Sequence, residues 1–253
     1  MTIFRPGLFI AFVLTAWIVI SGFPTRAAAE GLTPEMKKEV EAIVEDYIDA
    51  NPEILLDAIE TLRQRDAEQR TERAKSGLRA KRDELLNSPH SPTGGNLKGD
   101  VTIVEFSDYR CPYCKRMAPI MAKLLKEDGN IRIVYKEYPI LGPTSTYAAK
   151  AALAAWYTAP DKYEAFHNAI LNARGDMTEE RILAIADDTG IDSDALEVAM
   201  KNPEIDQEIQ RNLKLGAELG ITGTPSYVVG RELIPGAISY DDMKDYVETA
   251  RKR

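Results

Sequence analysis

The chain has 253 residues, of which 44% are apolar and 28% are charged, and this length allows one sizeable core together with a further module. Its formal net charge is −8 at pH 7. A chain this acidic is not expected to bind nucleic acid or an anionic membrane surface. The charge excludes little else.

The first 29 residues have the pattern of a secretory signal peptide. Arg5 precedes an apolar run at positions 8–20, and small residues before position 30 form an Ala-x-Ala cleavage pattern. An uncleaved anchor is the alternative, but the run is near the short end for crossing a bilayer. We expect cleavage after Ala29, which leaves a net charge of −10. The mature chain would then enter a disulfide-forming compartment, most simply a bacterial periplasm.

Residues 30–88 are predicted to form a helical arm followed by a charged linker. Thr33–Pro34–Glu35 has the N-cap, proline and acid of a helix start, and Asn51–Pro52–Glu53 repeats that signal. Each helix has an apolar stripe, formed by Val40, Ile43, Val44, Tyr47 and Ile48 in the first and by Leu55, Leu56, Ile59 and Leu62 in the second.

A charged run at 63–84 follows these stripes, and Gly77 is expected to interrupt its helix. Two short helices cannot bury such stripes by themselves. They must pack either on the following domain or on copies of themselves. Because the charged run separates them from the rest of the chain, we favour a homo-oligomer over an arm folded back on its own domain.

The predicted catalytic domain covers residues 89–253. A turn-rich stretch at 87–99, which can hold a short edge strand, marks its beginning, and the first full strand is expected at 101–106. Glu105 is unusual in this apolar strand. If it is buried, its pKa is raised and it can exchange protons with a nearby thiol; if it lies at the strand end, it simply faces solvent.

The only two cysteines, Cys111 and Cys114, follow this strand and precede an amphipathic helical run. Pro112 suits the first helical position, so Cys111 is predicted to be the N-cap. A sulfur there lies near unpaired backbone N–H groups and the positive end of the helix dipole, which favour the thiolate. Lys115 and Arg116 add positive charge nearby. We expect Cys111 to be the nucleophile and Cys114 the resolving thiol.

Two other interpretations of the cysteine pair are weaker. An inert disulfide across so short a loop would stabilise the fold little. A zinc site would need further ligands, and neither His90 nor His167 has ligand spacing to the cysteines or to the other histidine. We therefore predict a redox-active dithiol, with no metal and no cofactor.

The rest of the chain completes an α/β pattern. A strand at 131–136 would bring Lys136 near Glu105 if it neighbours the first strand, and a β-hairpin follows Thr224–Pro225, where a cis bond is allowed. The insertion at about 144–219 is all helical, with helices around 147–157, 162–172, 178–188, 193–200 and 203–219, and a last helix runs from 239 to 251. This order predicts a small mixed sheet with helices on both faces and a helical insertion.

Over roughly residues 100–251 the chain resembles the DsbA-like branch of the thioredoxin superfamily. The resemblance rests on Val104–Glu105–Phe106 before the Cys111–Pro112–Tyr113–Cys114 motif, and on Gly223–Thr224–Pro225 after the helical insertion. It implies a thioredoxin-like fold and thiol–disulfide oxidoreductase activity.

The resemblance also implies a role for each matched residue. Thr224–Pro225 would be the cis-proline loop, which packs beside the cysteines and, with Tyr113, contacts the substrate. Glu105 would be the family's buried acid, and Lys136 its basic neighbour. Because Tyr113 stands where the strongly oxidising relatives have histidine, the thiolate should be less stabilised and the disulfide less oxidising.

Two further features imply an isomerase. Thr224 is the residue seen before the proline in disulfide isomerases of the superfamily, whereas dedicated oxidases more often carry valine. The arm over 33–62 resembles that of the ScsC-type (suppressor of copper sensitivity) proteins, some of which form trimers. We therefore expect an oligomeric isomerase that acts on proteins with cysteines or disulfides and is reduced by a membrane thiol–disulfide reductase. A monomeric dithiol oxidase and a non-catalytic chaperone or copper-binding protein are the alternatives.

Overall fold

The computed structural model describes residues 33–252. The signal peptide predicted for residues 1–29 lies outside the described residues. The chain divides into two compact units, Met1–Ile59 and Glu60–Arg253. Within residues 33–252, no helix is both long enough and apolar enough to cross a membrane.

The first unit contains helix α1 (Pro34–Ala50) and the beginning of helix α2 (Glu53–Ala80). Both predicted helix starts are confirmed, and the Thr33 hydroxyl caps α1 by accepting a hydrogen bond from the N–H of Met36 at 3.2 Å. Helix α1 buries none of its residues. In the single chain Ile48 is half-buried, and the other large apolar side chains of this unit are exposed: Met36, Val40, Ile43, Val44, Tyr47, Ile54, Leu55, Leu56 and Ile59.

The interruption expected at Gly77 is wrong, because α2 continues through this residue to Ala80. An internal glycine costs a helix only about 1 kcal/mol relative to alanine. The missing side chain also makes room for a neighbour, since a Cβ at position 77 would lie 3.2 Å from the Cδ2 of Leu219. Close packing therefore accounts for the glycine better than a helix break does.

The short helix α3 (Arg82–Leu86) continues the chain toward the sheet. Leu78 and Leu85 are buried in an apolar cluster that also contains Phe106 and Val134. The end of the charged run thus contributes side chains to the core of the second unit. The domain limits themselves stay a prediction.

Five strands form the mixed sheet of the second unit: β1 (Thr93–Gly95), β2 (Val101–Ser107), β3 (Ile131–Glu137), β4 (Ser226–Val229) and β5 (Glu232–Pro235). Their order is β1-β3-β2-β4-β5, in which β2 and β3 are parallel and the other neighbours are antiparallel. Strand β1 is the short edge strand expected in the turn-rich stretch. The central strands β2 and β3 are buried on both faces, as helix-covered parallel strands are.

Helices cover this sheet, and the predicted thioredoxin-like fold with an all-helical insertion is confirmed. The helix α4 (Pro112–Asp128) connects the two parallel strands, and α10 (Tyr240–Arg251) closes the chain. The insertion contains α5 (Pro143–Thr158), α6 (Pro160–Asn172), α7 (Glu179–Asp188), α8 (Ser193–Ala199) and α9 (Pro203–Glu218). Proline in the first turn or a capping side chain starts each of these five, so the local signals fix their beginnings.

The two faces of β2 belong to different apolar clusters. Ile103 packs in the larger cluster, which includes both cysteines. Val104 and Phe106 pack in the smaller one. Because side chains alternate along a strand, Glu105 shares the face of Ile103 and lies on the side of the cysteines.

Candidate active site

The two cysteines lie at the beginning of α4. Cys111 is the N-cap and Pro112 the first helical residue, as predicted. Both thiols are free, with 4% of Cys111 and 0% of Cys114 exposed. The Cys111 thiol donates its hydrogen bond to the carbonyl oxygen of Thr224, at an S···O distance of 3.1 Å. The outer cysteine is therefore held against the loop that precedes β4.

That loop is fixed on both sides of Pro225. The Thr224–Pro225 peptide bond is cis. The Pro225 carbonyl accepts a hydrogen bond from the N–H of Gly236 at 2.8 Å, and the Ser226 hydroxyl donates to the carbonyl of Gly223 at 2.8 Å. The hydroxyl of Thr224 is buried and has no hydrogen-bond partner among the described residues. The structure thus brings the predicted proline loop and the cysteine pair together.

Glu105 is buried in the sheet, with 2% of its surface exposed, which decides between the two interpretations of the sequence. Burial raises the pKa of its carboxyl to about 7. The hydroxyl of Tyr227 donates a long hydrogen bond to it, 3.4 Å from Oε1, and this contact acts in the opposite direction on the pKa. A carboxyl with this pKa can both take and release a proton near neutral pH.

The inner cysteine requires such a base. Burial raises the pKa of the Cys114 thiol far above its ordinary value, and negative charge on Cys111 or Glu105 raises it further. The backbone of Asp108 and the hydroxyl of Thr224 act in the opposite direction, because they favour the thiolate. Only the thiolate is a good nucleophile. Cys114 therefore depends on a proton acceptor in its surroundings. Glu105 is a titratable carboxyl close enough for its negative charge to raise the pKa of this thiol.

Lys136 is not the neighbour of Glu105, so this prediction is wrong. In the parallel ladder Lys136 is opposite Phe106, the residue after Glu105, and its side chain leaves the sheet on the other face. Its ammonium group donates to the hydroxyl of Ser91 at 2.7 Å and to the carbonyl of Glu84 at 3.0 Å. Burial lowers its pKa to about 8. Lys136 ties the segment before β1 to the sheet and lies outside the redox site.

Tyr227 belongs to the site, although the sequence analysis missed it. It is opposite Glu105 in the antiparallel ladder between β2 and β4 and is fully buried. Its hydroxyl lies near enough to Glu105, Cys114 and Cys111 for their negative charges to raise its pKa, after burial, which is the larger cause. The alternation of side chains along an extended chain could have identified it, since Tyr227 lies two residues after Pro225.

Asp108 was also missed, and it holds the turn that leads into the cysteine motif. One carboxylate oxygen accepts a hydrogen bond from the N–H of Arg110 at 2.8 Å. The other accepts from the N–H groups of Ile140 and Leu141, at 2.8 and 3.0 Å. An aspartate that bonds to the backbone two residues later is a common turn signal, which the sequence contains. The hydrogen bonds to residues 140 and 141 form only in the folded chain, so no local pattern signals them.

A second buried carboxyl, Glu137, lies at the end of β3. Its Oε1 accepts hydrogen bonds from the hydroxyls of Tyr109 and Tyr163, at 2.8 and 3.0 Å. The Tyr109 hydroxyl is also 2.7 Å from Nδ1 of His167, which is buried in the core. Burial raises the pKa of Glu137 to about 8. This cluster carries no charge when Glu137 is protonated, which suits its apolar surroundings.

Tyr113 points outward from the motif. It is 53% exposed, and the guanidinium carbon of Arg116 lies 4.9 Å from the centre of its ring. An exposed aromatic ring two residues after Cys111 is available to an incoming chain. Its contact with substrate stays a prediction.

Comparison with known proteins agrees with this geometry. A family model described as the DSBA-like thioredoxin domain matches residues 102–248, which is more than half of the chain. The chain belongs to this family. It is a thiol–disulfide oxidoreductase. A second family model, the N-terminal domain of the copper resistance protein ScsC, matches residues 37–69.

Three relatives each match about two thirds of this chain. A thioredoxin-like oxidoreductase from Silicibacter pomeroyi is 45% identical over 68% of this chain and 98% of its own, with a TM-score of 0.65. A periplasmic thioredoxin-like protein from Salmonella enterica serovar Typhimurium is 30% identical over 68% of this chain and 96% of its own, with a TM-score of 0.60. Disulfide bond formation protein D of Bacillus subtilis is 25% identical over 171 residues, 64% of this chain and 77% of that protein.

Proposed function

We propose that this oxidoreductase is a periplasmic disulfide isomerase, which works as a homo-oligomer on proteins with wrongly formed disulfides. The Cys111–Pro112–Tyr113–Cys114 dithiol carries out the exchange, and a membrane thiol–disulfide reductase returns it to the dithiol form. The observation that carries the proposal is the contact of the Cys111 thiol with Thr224 in the cis-proline loop, in a chain whose arm exposes an apolar stripe.

The exchange begins with the Cys111 thiolate. Its sulfur bonds to one sulfur of a substrate disulfide, and the other substrate sulfur leaves as a thiolate. In isomerisation the released thiolate attacks another disulfide of the same substrate, and the new thiolate that this frees attacks the substrate sulfur of the mixed disulfide, so that Cys111 leaves again as a thiolate. No net electron transfer occurs, so one dithiol can rearrange many substrates.

A substrate that does not rearrange is released by Cys114. The Cys114 thiol gives its proton to the Glu105 carboxylate, and the resulting thiolate attacks the sulfur of Cys111. The Cys111–Cys114 disulfide forms while the substrate leaves as a thiolate, with two electrons transferred from the dithiol to the substrate. The raised pKa of Cys114 supports this role for Glu105, because a thiol that ionises poorly needs a base beside it.

The substrate backbone is held by Thr224 and Pro225. In the dithiol form the Thr224 carbonyl accepts the thiol of Cys111. Once that sulfur is bonded to a substrate it has no proton to donate, so the carbonyl becomes free to accept a backbone N–H of the substrate. Tyr113 contacts the substrate from the exposed side of the motif. The binding of backbone rather than of particular side chains suits an enzyme with many protein substrates.

Self-association through the arm accounts for its exposed apolar side chains. In the first unit these lie at helical spacing, for example Val40, Val44 and Tyr47, and they form a face that water would otherwise cover. An isomerase benefits from several active sites in one particle, because a misfolded substrate can be held at one site while another site attacks it.

A monomeric oxidase is the second candidate, and the motif residues argue against it. A strong oxidase requires a well-stabilised thiolate, whereas Tyr113 provides no imidazole to the cysteine pair. The redox state of the pair in cells distinguishes the two. Acid quenching followed by thiol labelling should find the pair mostly reduced in the native host. A pair that is mostly oxidised would instead establish an oxidase.

A further inference from the structure

Tyr138, the residue that follows β3, is not used by the chemistry described above, although it is buried and bonded to the segment that leads into the proline loop. Its hydroxyl donates a hydrogen bond to the carbonyl oxygen of Ile221 at 3.1 Å. Ile221 lies three residues before Thr224, so this bond fixes the beginning of the chain that carries the loop. Burial raises the pKa of Tyr138, so its hydroxyl keeps its proton and stays a donor.

The backbone of Tyr138 is attached to the other half of the site. Its N–H donates to the carbonyl oxygen of Ser107, the last residue of β2, at 2.9 Å. Ser107 lies four residues before Cys111. The ring of Tyr138 also packs edge-on against Phe106 of the same strand, with ring centres 5.7 Å apart. One residue thus joins the strand that leads into the cysteine motif to the segment that leads into the proline loop.

The place of the Tyr138 ring depends on a glycine in α9. A Cβ at Gly216 would overlap Cε2 of this ring and lie 2.7 Å from both Cζ and the hydroxyl oxygen, so a side chain there would displace the ring. The carbonyl of Gly216 accepts the N–H of Ile221 at 2.8 Å. Ile221 is therefore fixed twice, through its N–H by α9 and through its carbonyl by Tyr138.

The first part of the proline loop has no backbone ladder of its own. Within the described part of the chain, residues 222–224 make no backbone-to-backbone hydrogen bond. Three residues span at most about 10 Å, so the position of Ile221 limits where the Thr224 carbonyl can lie. Cys111 belongs to the larger apolar cluster, whereas Tyr138 and Ile221 belong to the smaller one. Contacts from both faces of the sheet therefore hold this short segment.

We propose that Tyr138 is a positioning residue for substrate binding, which holds the proline loop where the Thr224 carbonyl can accept a backbone N–H of the substrate. This inference rests on the function proposed above, in which that carbonyl exchanges the Cys111 thiol for the substrate. Tyr138 acts through Ile221, from the side of the sheet opposite the dithiol. Without its hydroxyl the loop is less ordered, so each substrate must order it on binding, which weakens affinity. The chemistry of the sulfurs is unchanged once the substrate is bound.

Two variants remove this hold on the loop from different sides. Tyr138→Phe keeps the ring and removes only the hydrogen bond to Ile221. Gly216→Ala keeps the hydroxyl but pushes the ring away from α9. Val134→Ala is the matched control. It weakens the same apolar cluster from β3, which β2 separates from the strand that follows the loop.

Reactivation of ribonuclease with scrambled disulfides is measured with the full-length proteins over a range of substrate concentrations, which gives KM and kcat separately. We expect Tyr138→Phe to raise KM about fivefold with kcat unchanged, because one net hydrogen bond is worth about that factor in binding. Gly216→Ala should raise KM at least as much, and the double variant no further, since both act through one contact. Val134→Ala should keep the wild-type KM. No variant should slow the attack of Cys111 on dithiobis(nitrobenzoate), a disulfide without a backbone N–H.

A wild-type KM in Tyr138→Phe would overturn the proposal, and so would an equal rise of KM in Val134→Ala, which would trace the effect to lost stability alone. If Gly216→Ala does not fold, Tyr138→Phe decides. A failure of the proposed function is recognised separately, because the wild type itself would then reactivate no scrambled ribonuclease. In that case the KM for oxidation of reduced ribonuclease by the disulfide form replaces it, since that reaction binds substrate at the same loop.

Discussion

The Cys111 thiol lies 3.1 Å from the carbonyl oxygen of Thr224, so the outer sulfur of the dithiol touches the loop that contains cis-Pro225. Only 4% of Cys111 is exposed. A substrate disulfide must therefore approach along this loop and replace the contact between Cys111 and Thr224 with one of its own. Binding of substrate and access to the sulfur are thus one event at this site.

Replacement of the inner cysteine should trap substrates. In Cys114→Ser the mixed disulfide on Cys111 can form but loses its resolving thiol, so adducts with protein substrates should accumulate. They appear as high-mass bands on non-reducing gels and disappear when a reductant is added. Cys111→Ser is the control and should form no adducts. Adducts of equal intensity in Cys111→Ser would show that Cys114 is the attacking residue.

Thr224→Val tests the hydroxyl beside the cysteine pair. This hydroxyl is buried without a partner among the described residues, so valine, of the same shape, should leave stability unchanged or raise it by about 1 kcal/mol. The hydroxyl gains an acceptor when Cys114 ionises, because it favours the Cys114 thiolate, so its loss should slow release of the mixed disulfide. Urea unfolding measures the effect on stability. The effect on release is measured with dithiobis(nitrobenzoate), which Cys111 attacks first, so that the attack of Cys114 on Cys111 releases a second nitrothiobenzoate. A stability loss with an unchanged release rate would mean that Thr224 only supports the loop.

Glu105→Gln should change how stability depends on pH. Burial raises the pKa of Glu105 from 4.5 to about 7, so the folded protein holds a proton that the unfolded chain has released between these values. The resulting stability is complete below the unfolded pKa and is lost as the pH rises through 7, by about 3 kcal/mol.

The glutamine variant lacks this loss. The difference in unfolding free energy between variant and wild type should therefore grow in favour of the variant from about pH 5 to about pH 8. This difference isolates Glu105 from Glu137, which titrates in both proteins. Parallel stability curves across that range would contradict a buried, protonatable Glu105.

Variants of the buried cluster around Glu137 should show whether its stability depends on the hydrogen bonds of the cluster or on an ionised Glu137. Glu137→Gln keeps an oxygen that accepts from Tyr109 and Tyr163, so we expect stability near pH 6 to change by less than about 1 kcal/mol. Tyr109→Phe removes the 2.7 Å partner of Nδ1 of His167 and leaves it only the Tyr163 hydroxyl at 3.5 Å, which should cost about 1–3 kcal/mol. Thermal unfolding measures both. A larger loss in Glu137→Gln than in Tyr109→Phe would indicate that Glu137 is ionised in the folded protein.

Features that depend on neighbours in sequence could be predicted well. Thr33 caps α1 and Cys111 with Pro112 begins α4 because caps and first-turn prolines act within a few residues. The strand and helix order also follows from local periodicity. The pairing of motif and proline loop, 113 positions apart, came from resemblance to a family rather than from the residues alone.

What the sequence could not provide depends on register and long-range packing. Lys136 and Glu105 both lie in buried central strands, and only the register of the ladder puts their side chains on opposite faces. The partners of Glu137 come from α6 and from the segment before α4, far apart in the chain. Such contacts form after the sheet and the helical insertion pack, so no local pattern signals them.

The central claim, an isomerase that depends on its arm, is tested by reactivation of ribonuclease with scrambled disulfides. Deletion of the chain up to about residue 88 is unsuitable, because Leu78 and Leu85 belong to the core of the second unit. Ile43→Asp instead places a charge in the exposed stripe of α1, and Ala42→Asp adds the same charge on the opposite side of that helix.

Wild type and Ala42→Asp should be oligomeric by light scattering and should reactivate the scrambled enzyme in a mildly reducing buffer. Ile43→Asp should be monomeric and lose most of this activity, while its Cys111 reacts with dithiobis(nitrobenzoate) at the wild-type rate. The account is contradicted if the wild type does not reactivate scrambled ribonuclease but oxidises the reduced enzyme, because the protein would then be a dithiol oxidase.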